Sequence, residues 1–166
     1  MSESVSADVA NVMSALNIEH SVIDCDPEFA DTKKFCDHYG YSVNEAANVL
    51  LIASKKGKLK YAACVVLATC RLDVNKTARK KLGVSRISFA NPDQMRELTG
   101  MELGGVTPFG MPGNVPVWID SQVMDCDRII LGGGNRSSKI VLSPAMLLKV
   151  PNVEVVEHLA FQPVSE

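Results

Sequence analysis

Residues 48–69 read NVLLIASKKGKLKYAACVVLAT, two apolar runs separated by a short segment rich in lysine. Both runs contain β-branched residues, which favour strands, and the lysine and glycine segment between them is typical of a turn. The most apolar part, YAACVVLATC at 61–70, spans ten residues, which is too few for a helix that crosses a bilayer. The segment therefore predicts a β-hairpin in a protein without a membrane span.

The sequence on either side of this hairpin predicts helices and strands in irregular alternation. NPDQMRELTG at 91–100 has the signature of a capped helix, with Asn91 as the cap, Gln94 in the reciprocal position and Gly100 past the end. Further helices are predicted at 6–16, 31–40, 75–83 and 143–150, the second of them capped at Asp31 or Thr32, and further strands at 20–24, 115–120, 128–134, 139–143 and 153–158. This order predicts a mixed α/β fold rather than a doubly wound parallel sheet. At 166 residues, we expect a single domain over 1–166.

Composition narrows the class of protein. Apolar residues make up 46% of the chain and the formal net charge is -2, which is ordinary for a globular domain. The acidic start, MSESVSADVANVMSALNIEH, lacks the basic end and apolar run of a signal peptide, so we expect a cytoplasmic protein. The five cysteines form no CxxC pair, and they are expected to be buried apolar residues. Neither a metal nor an organic cofactor is expected.

The basic residues are concentrated in one window. Between Lys55 and Arg86 there are ten Lys and Arg residues and one acidic residue, Asp73. The rest of the chain is acidic, with a formal charge of -11. Such asymmetry favours a surface that binds a polyanion, either nucleic acid or a nucleotide phosphate. The alternative is a solvated turn followed by the wet face of a helix.

Two glycine-rich loops are the remaining candidates for a site. GGVTPFG at 104–110 is either a tight corner or the wall of a binding site, because glycine lets backbone N–H groups approach a ligand. GGGNRSSK at 132–139 is not a P-loop, since Lys139 follows the serines instead of preceding them. It is predicted to be a turn between two strands, whose N–H groups and Arg136 are able to meet an anion.

Four blocks in collinear order, LDVNKTARKKLG, TGMELGGVTPFG, an apolar strand ending in Asp120, and IILGGGNRSSKIVLSP, resemble the YbaK family over residues 30–160. These proteins are free-standing relatives of the editing domain of bacterial prolyl-tRNA synthetases. The resemblance implies a compact α/β domain with a mixed, barrel-like sheet flanked by helices. It also implies hydrolysis, in trans, of the ester that joins a wrong amino acid to tRNA, with aminoacyl-tRNA as partner and a synthetase as a second candidate partner. We expect no membrane or DNA partner.

The resemblance also assigns residues to a site. The family's Gly-x-x-x-Pro loop falls on Gly104 to Pro108, and its N–H groups are expected to face the ester carbonyl. The residues expected to act in catalysis are Gly104, Gly105, Thr107, Pro108 and Asp120. Those expected to bind the substrate are Asn48, Lys76, Gly133, Arg136 and Lys139. Those expected to hold tRNA phosphates are Lys55, Lys56, Arg79 and Lys80.

One departure from the family pattern concerns the start of the first hairpin strand. The family carries a lysine there, whereas in this chain the position falls on Asn48, or on Ala47 if the register slips by one. Asparagine forms hydrogen bonds but supplies no positive charge. Lys76, Arg136 or Lys139 is a candidate to supply it. The alternatives are a different substrate and a non-catalytic module that binds tRNA ends, aminoacyl-nucleotides or a synthetase.

Overall fold

The computed structural model describes residues 5–55, 59–102 and 104–163, and the elements below belong to these ranges. The strands are β1 (Ser21–Asp24), β2 (Ala47–Ser54), β3 (Tyr61–Leu67), β4 (Arg71–Leu72), β5 (Ile87–Phe89), β6 (Val117–Asp120), β7 (Ile129–Gly132), β8 (Ser138–Leu142), β9 (Val153–Val156) and β10 (Ala160–Phe161). The α-helices are α1 (Ala7–Ala15), α2 (Thr32–Tyr39), α3 (Arg79–Leu82) and α4 (Pro92–Thr99). Shorter helical turns of the 3-10 type lie at Pro27–Phe29, Val43–Glu45, Ser121–Asp125 and Pro144–Lys149, and a π turn at Val74–Ala78 leads into α3.

The predicted hairpin forms the centre of a mixed sheet. β2 and β3 pair antiparallel from Ala47 opposite Leu67 to Ala53 opposite Tyr61. The sheet has the order β5-β2-β3-β6-β9, in which β5 pairs antiparallel with β2 while β6 and β9 add in parallel. A second, antiparallel sheet has the order β1-β8-β7, and a parallel bridge from Ala46 to Ile130 joins it to the first sheet. The fold is the predicted mixed α/β arrangement.

The two faces of the larger sheet are buried by different elements. Alternation along β2 sends Val49 and Leu51 into the main core, where they join residues of β7 and β8 such as Leu131 and Ile140. Ile52 points to the other face and packs with Leu82 of α3. The smaller sheet therefore covers one face of the hairpin, and α3 covers the other.

Local capping places the helices where the sequence predicted them. Asn91 and Gln94 form the reciprocal capping box of α4, and Gly100 follows the helix with a φ of 74°. Asp31 caps α2, and Gly40 ends it in the left-handed conformation. The segment after Ser143 forms a 3-10 helix, whereas the sequence predicted an ordinary helix there. None of the described helices combines the length and the apolar character needed to cross a membrane.

Candidate functional site

The two glycine-rich loops meet backbone to backbone. The N–H of Gly134 donates to the carbonyl oxygen of Gly105 (2.6 Å). A Cβ atom at Gly105 would overlap the backbone of Asn135, lying 2.6 Å from its carbonyl carbon and 2.9 Å from its nitrogen. A Cβ atom at Gly132 would lie 2.5 Å from the carbonyl carbon of Gly105. Both glycines are therefore required by this contact, because any side chain would separate the loops.

A cleft of about 390 Å³ opens beside these loops, where β2 and β7 diverge beyond the bridge between Ala46 and Ile130. Its walls come from the start of α2, from the first half of β2, from the loop after α4 and from the β7–β8 turn. The lining residues are Asp31, Thr32, Ala47, Asn48, Val49, Leu50, Gly104, Val106, Gly132, Arg136 and Lys139. The structure thus brings together four residues that the sequence analysis assigned separately: Asn48, Gly104, Arg136 and Lys139.

Lys139 supplies a buried amine to the floor of this cleft. Its side chain is 4% exposed, and its Nζ donates to the carbonyl oxygens of Ala30 (2.5 Å) and Gly104 (2.9 Å). Burial lowers the pKa of Lys139 below its ordinary value of 10.5, and the nearby Asp31 carboxylate opposes this shift. A lysine ammonium has three protons to donate, and these two bonds use two of them; the Nζ also lies 5.7 Å from the centre of the Phe35 ring.

Arg136 lies against Gly104 at the mouth of the cleft. Its Nη2 donates to the carbonyl oxygen of Pro27 (2.8 Å). Gly104 has a φ of 90°, and a Cβ atom there would collide with Nη1 of Arg136. Glycine at 104 therefore serves both the left-handed backbone conformation and the placement of the guanidinium.

Asn48 and Thr32 form the polar part of the opposite wall. The Thr32 hydroxyl donates to Oδ1 of Asn48 (2.5 Å). Asp31 is exposed at the rim, and its carboxylate accepts from the backbone N–H groups of Lys33 (3.2 Å) and Lys34 (3.3 Å). The α2 cap thus brings a carboxylate and a hydroxyl to the side of the cleft formed by β2.

Several residues assigned to catalysis do not line the cleft. The N–H of Gly105 donates to the carbonyl oxygen of Glu102 (2.9 Å), so this donor serves the loop itself. Thr107 is 0% exposed, and its hydroxyl has no hydrogen-bond partner among the described residues. Pro108 borders a separate, apolar cavity beside Val12. The loop as a whole therefore supports the wall, while Gly104 and Val106 face the cleft.

Asp120 and Gly133 also lie outside the cleft lining. The Asp120 carboxylate is fully buried and accepts from the N–H of Ala160 (3.1 Å) and from Nε2 of Gln122 (3.0 Å). These bonds tie the end of β6 to β10, which gives Asp120 a structural role instead of a place at the cleft. Gly133 packs against the side chain of Ser138, while its neighbour Gly132 lines the cleft.

Seven described basic residues of the lysine-rich window are grouped here as the basic surface; one of them, Lys81, is paired with Glu154 of β9 (2.7 Å). The main-chain N–H of Lys55 donates to the carbonyl oxygen of Arg86 (3.0 Å), and Nζ of Lys60 lies 3.4 Å from the carbonyl oxygen of Leu82. These contacts gather the hairpin end, α3 and the start of β5. The members are Lys55, Lys60, Lys76, Arg79, Lys80, Lys81 and Arg86; Lys56 lies outside the described residues.

The basic surface adjoins the cleft without lining it. Asn48 alternates with Leu50 and Ile52 on one face of β2, the face on which α3 packs. Asn48 and Ile52 are four residues apart, a separation of about 13 Å along a strand. Strand β2 thus connects the cleft, at Asn48, to the face on which α3 packs.

Sequence reasoning missed the contributions of Asp31 and Thr32. The sequence indicated that one of them caps a helix, but nothing in it showed that this cap faces β2. It also missed Val49, Leu50 and Val106, which are apolar lining residues without a sequence signature. Among the described residues, no three His, Cys, Asp or Glu side chains are grouped as a metal centre requires.

Comparison with known proteins connects this geometry to a family. The family model described as "Aminoacyl-tRNA editing domain" matches residues 26–150. "Uncharacterized protein YwhH" of Bacillus subtilis is 28% identical over 131 residues, which cover 79% of this chain and 81% of that protein. The Enterococcus faecalis protein named "Putative Cys-tRNA(Pro)/Cys-tRNA(Cys) deacylase EbsC" is 25% identical over 109 residues, 66% of this chain and 64% of that protein.

Solved structures share the fold. A "putative trans-editing enzyme for prolyl tRNA synthetase" superimposes with a TM-score of 0.75 at 24% identity, covering 92% of this chain and 97% of that one. The "hypothetical protein APE2540" superimposes with a TM-score of 0.81 at 21% identity, covering 93% of this chain and 99% of that one. At these identities the likeness shows a common fold.

Proposed function

Because this chain belongs to the aminoacyl-tRNA editing domain family, we propose that it hydrolyses, in trans, the ester bond that joins a wrong amino acid to tRNA. The observation that carries the proposal is the convergence of Asn48, Gly104, Arg136 and Lys139 on one cleft. These residues come from three separate parts of the chain. A cleft with two cations and several polar groups suits an ester at the end of a polyanion.

Lys139 is the residue proposed to act on the ester carbonyl. When water attacks the carbonyl carbon, negative charge develops on the carbonyl oxygen. The third proton of the Lys139 ammonium is then the donor for that oxygen, with the amine held in place by Ala30 and Gly104. Fixed donors of this kind lower the barrier because they need no reorganisation as charge develops.

The remaining roles follow from charge and position. Arg136 at the mouth is proposed to attract the phosphate of the terminal nucleotide through the positive charge of its guanidinium. The free ribose hydroxyl beside the ester relays the proton from the attacking water to the departing ribose oxygen. The products are the free amino acid and deacylated tRNA, so the reaction consumes one water and needs no cofactor.

The positive charge that the family places on the strand is supplied here by Lys139 from the opposite wall. Asn48 is held by the Thr32 hydroxyl and faces the same cleft. The amide is proposed to bond a neutral ribose or carbonyl oxygen. The basic surface then holds the acceptor-stem phosphates, and an aminoacyl-tRNA synthetase is the proposed protein partner.

A second candidate function, a non-catalytic module that binds tRNA ends, is favoured by one observation. Among the described residues that line the cleft there is no histidine or cysteine, and the one carboxylate, Asp31, lies at the rim. Such a cleft depends on the substrate's own hydroxyl for proton transfer. A binding module has no need of that transfer.

The experiment that separates the two functions is a hydrolysis panel. Transfer RNAs carrying alanine, serine, threonine or cysteine, and each cognate aminoacyl-tRNA, are incubated with a small molar fraction of the protein. The proposal predicts that at least one mischarged tRNA releases more amino acid than there is protein, well above spontaneous hydrolysis. Binding of these tRNAs without release establishes the second function. If the protein neither binds these tRNAs nor releases their amino acids, both functions are contradicted.

A further inference from the structure

The cleft holds charges of both signs. Lys139 and Arg136 belong to β8 and its preceding turn, and Asp31 follows Ala30, whose carbonyl oxygen accepts from Lys139. An aminoacyl ester carries its α-amino group largely as an ammonium at neutral pH. Like charges repel and opposite charges attract, so an ester whose carbonyl oxygen meets Lys139 needs acceptors in the cleft for its ammonium.

Strand β2 offers main-chain acceptors to the cleft. The N–H of Ser54 donates to the carbonyl oxygen of Lys60, and the carbonyl oxygen of Ala46 accepts from the N–H of Ala68. Even-numbered residues along β2 therefore form their main-chain hydrogen bonds with β3. Odd-numbered residues bond to the other side, as Leu51 does when its carbonyl oxygen accepts from the N–H of Ala90 (2.8 Å). By the same alternation, Val49 directs its N–H and carbonyl oxygen away from β3.

No strand in the described ranges pairs with β2 at Val49 on that side. β5 pairs with Ile52 to Ser54 and ends at Phe89. The parallel bridge to β7 lies at Ala46, and beyond it the cleft separates the two strands. An open strand edge therefore forms part of the cleft wall.

We propose that the open edge of β2 at Val49 and the carboxylate of Asp31 form a subsite for the α-ammonium group of the substrate. This inference rests on the proposed function. An ammonium donates three hydrogen bonds, which suits a carbonyl oxygen and a carboxylate that line the same cleft. N-acylation removes the charge, leaves a single N–H and adds bulk. The cleft therefore accepts aminoacyl groups with a free amine and rejects N-acylated ones, such as those of peptidyl-tRNA.

The test uses two ligands that cannot be hydrolysed. In 3′-(alanylamino)-3′-deoxyadenosine an amide replaces the ester, and its N-acetyl derivative differs only at the α-amino group. We expect calorimetry to show binding about tenfold weaker for the N-acetyl compound, the loss expected for one charge-assisted hydrogen bond. Equal affinities, or no binding of either compound, overturn the subsite.

Asp31→Asn tests the carboxylate without removing the helix cap, because asparagine caps as well as aspartate. We expect it to weaken binding of the free amine about threefold, since an exposed charge is screened, and to leave the N-acetyl compound unchanged. The preference for the free amine over the N-acetyl compound that remains in Asp31→Asn measures the contribution of the main-chain acceptor at Val49. Asp37→Asn, an exposed position on the same helix outside the cleft, is the matched control. Equal weakening of both compounds by Asp31→Asn, or complete loss of discrimination, contradicts the two-part subsite.

Hydrolysis assays separate this inference from the proposed function. If aminoacyl-tRNA and its N-acetylated form are hydrolysed at the same rate, the proposed function stands and the ammonium subsite fails. If the free-amine compound binds selectively and no tRNA is deacylated, the subsite stands and the catalytic proposal fails.

Discussion

Gly104→Ala and Gly105→Ala are expected to have opposite consequences, although the two glycines are adjacent. At Gly105 the added methyl group meets main-chain atoms of Asn135, which belong to the facing loop and are held by the contact between Gly134 and Gly105. At Gly104 it meets the end of the Arg136 side chain, which is able to swing away. The first substitution therefore separates two loops, and the second displaces one guanidinium.

These contacts set the magnitudes. Forcing a methyl group into packed backbone costs about 3 kcal/mol, the upper part of the usual range for overpacking. For a domain of this size that corresponds to a fall in Tm of about 6–12 °C. Gly104→Ala carries the strain of a positive φ, about 1 kcal/mol, and a fall of about 2–4 °C. Thermal unfolding by circular dichroism measures both, and deacylation per folded molecule is measured in parallel.

The expected pattern is a large loss of stability in Gly105→Ala, and a small one in Gly104→Ala with a loss of deacylation of tenfold or more. Gly113→Ala is the control, because a Cβ atom there meets nothing within 4 Å and its φ is outside the left-handed region. Equal and small changes in Tm for the two adjacent variants would refute the loop contact. Unchanged deacylation in Gly104→Ala would show that the loop at Gly104 is not part of the site.

Three further predictions address other parts of the molecule. Asp120→Asn is expected to lower the free energy of unfolding by about 1–3 kcal/mol, because an amide cannot accept both hydrogen bonds that the carboxylate accepts. Deacylation per folded molecule is expected to be unchanged. Reduced deacylation with unchanged stability would indicate that Asp120 acts in the site. Replacing Lys76 and Lys80 together by Gln is expected to weaken tRNA binding and to reduce the slope of log K against log salt by about two. An unchanged slope, or the same loss of tRNA affinity in Lys149→Gln, would show that the basic surface does not bind tRNA. Lys139→Met tests the buried amine through the difference between the free energies of unfolding of the wild type and the variant. This difference is expected to rise between pH 7 and 10, because a lysine with a lowered pKa binds fewer protons in the folded state than in the unfolded state. A difference that does not change with pH contradicts the burial of an ionisable amine.

Local features of the fold were predictable from the sequence. The Asn91 capping box and the central hairpin depend on residues close together in the chain, and both are confirmed. The parallel additions of β6 and β9 and the pairing of β10 with β4 were not predicted. These pairings join segments that are far apart in sequence, and the local sequence of a strand does not indicate which distant strand it pairs with.

The candidate site shows the same division between local and distant information. Gly104 and Arg136 stand in segments whose composition marks them as special, and both line the cleft; their roles in binding stay predictions. Thr107 stands in the same marked segment, yet it is buried, because composition does not tell which way a loop residue points. Asp31 gave the signal of a helix cap only. Its second role follows from the packing of α2 against β2.

Whether the ester is broken in this cleft is decided by one comparison of kcat/KM. Arg136→Gln and Arg128→Gln each remove one arginine charge, but Arg128 pairs with Glu45 beside a different cavity. On the best substrate of the hydrolysis panel, we expect kcat/KM to fall at least about tenfold for Arg136→Gln, as when a charged hydrogen bond to the substrate is lost. We expect a change of less than about twofold for Arg128→Gln, whose exposed ion pair contributes little. Equal values of kcat/KM for wild type and Arg136→Gln would show that the ester is not broken beside Arg136.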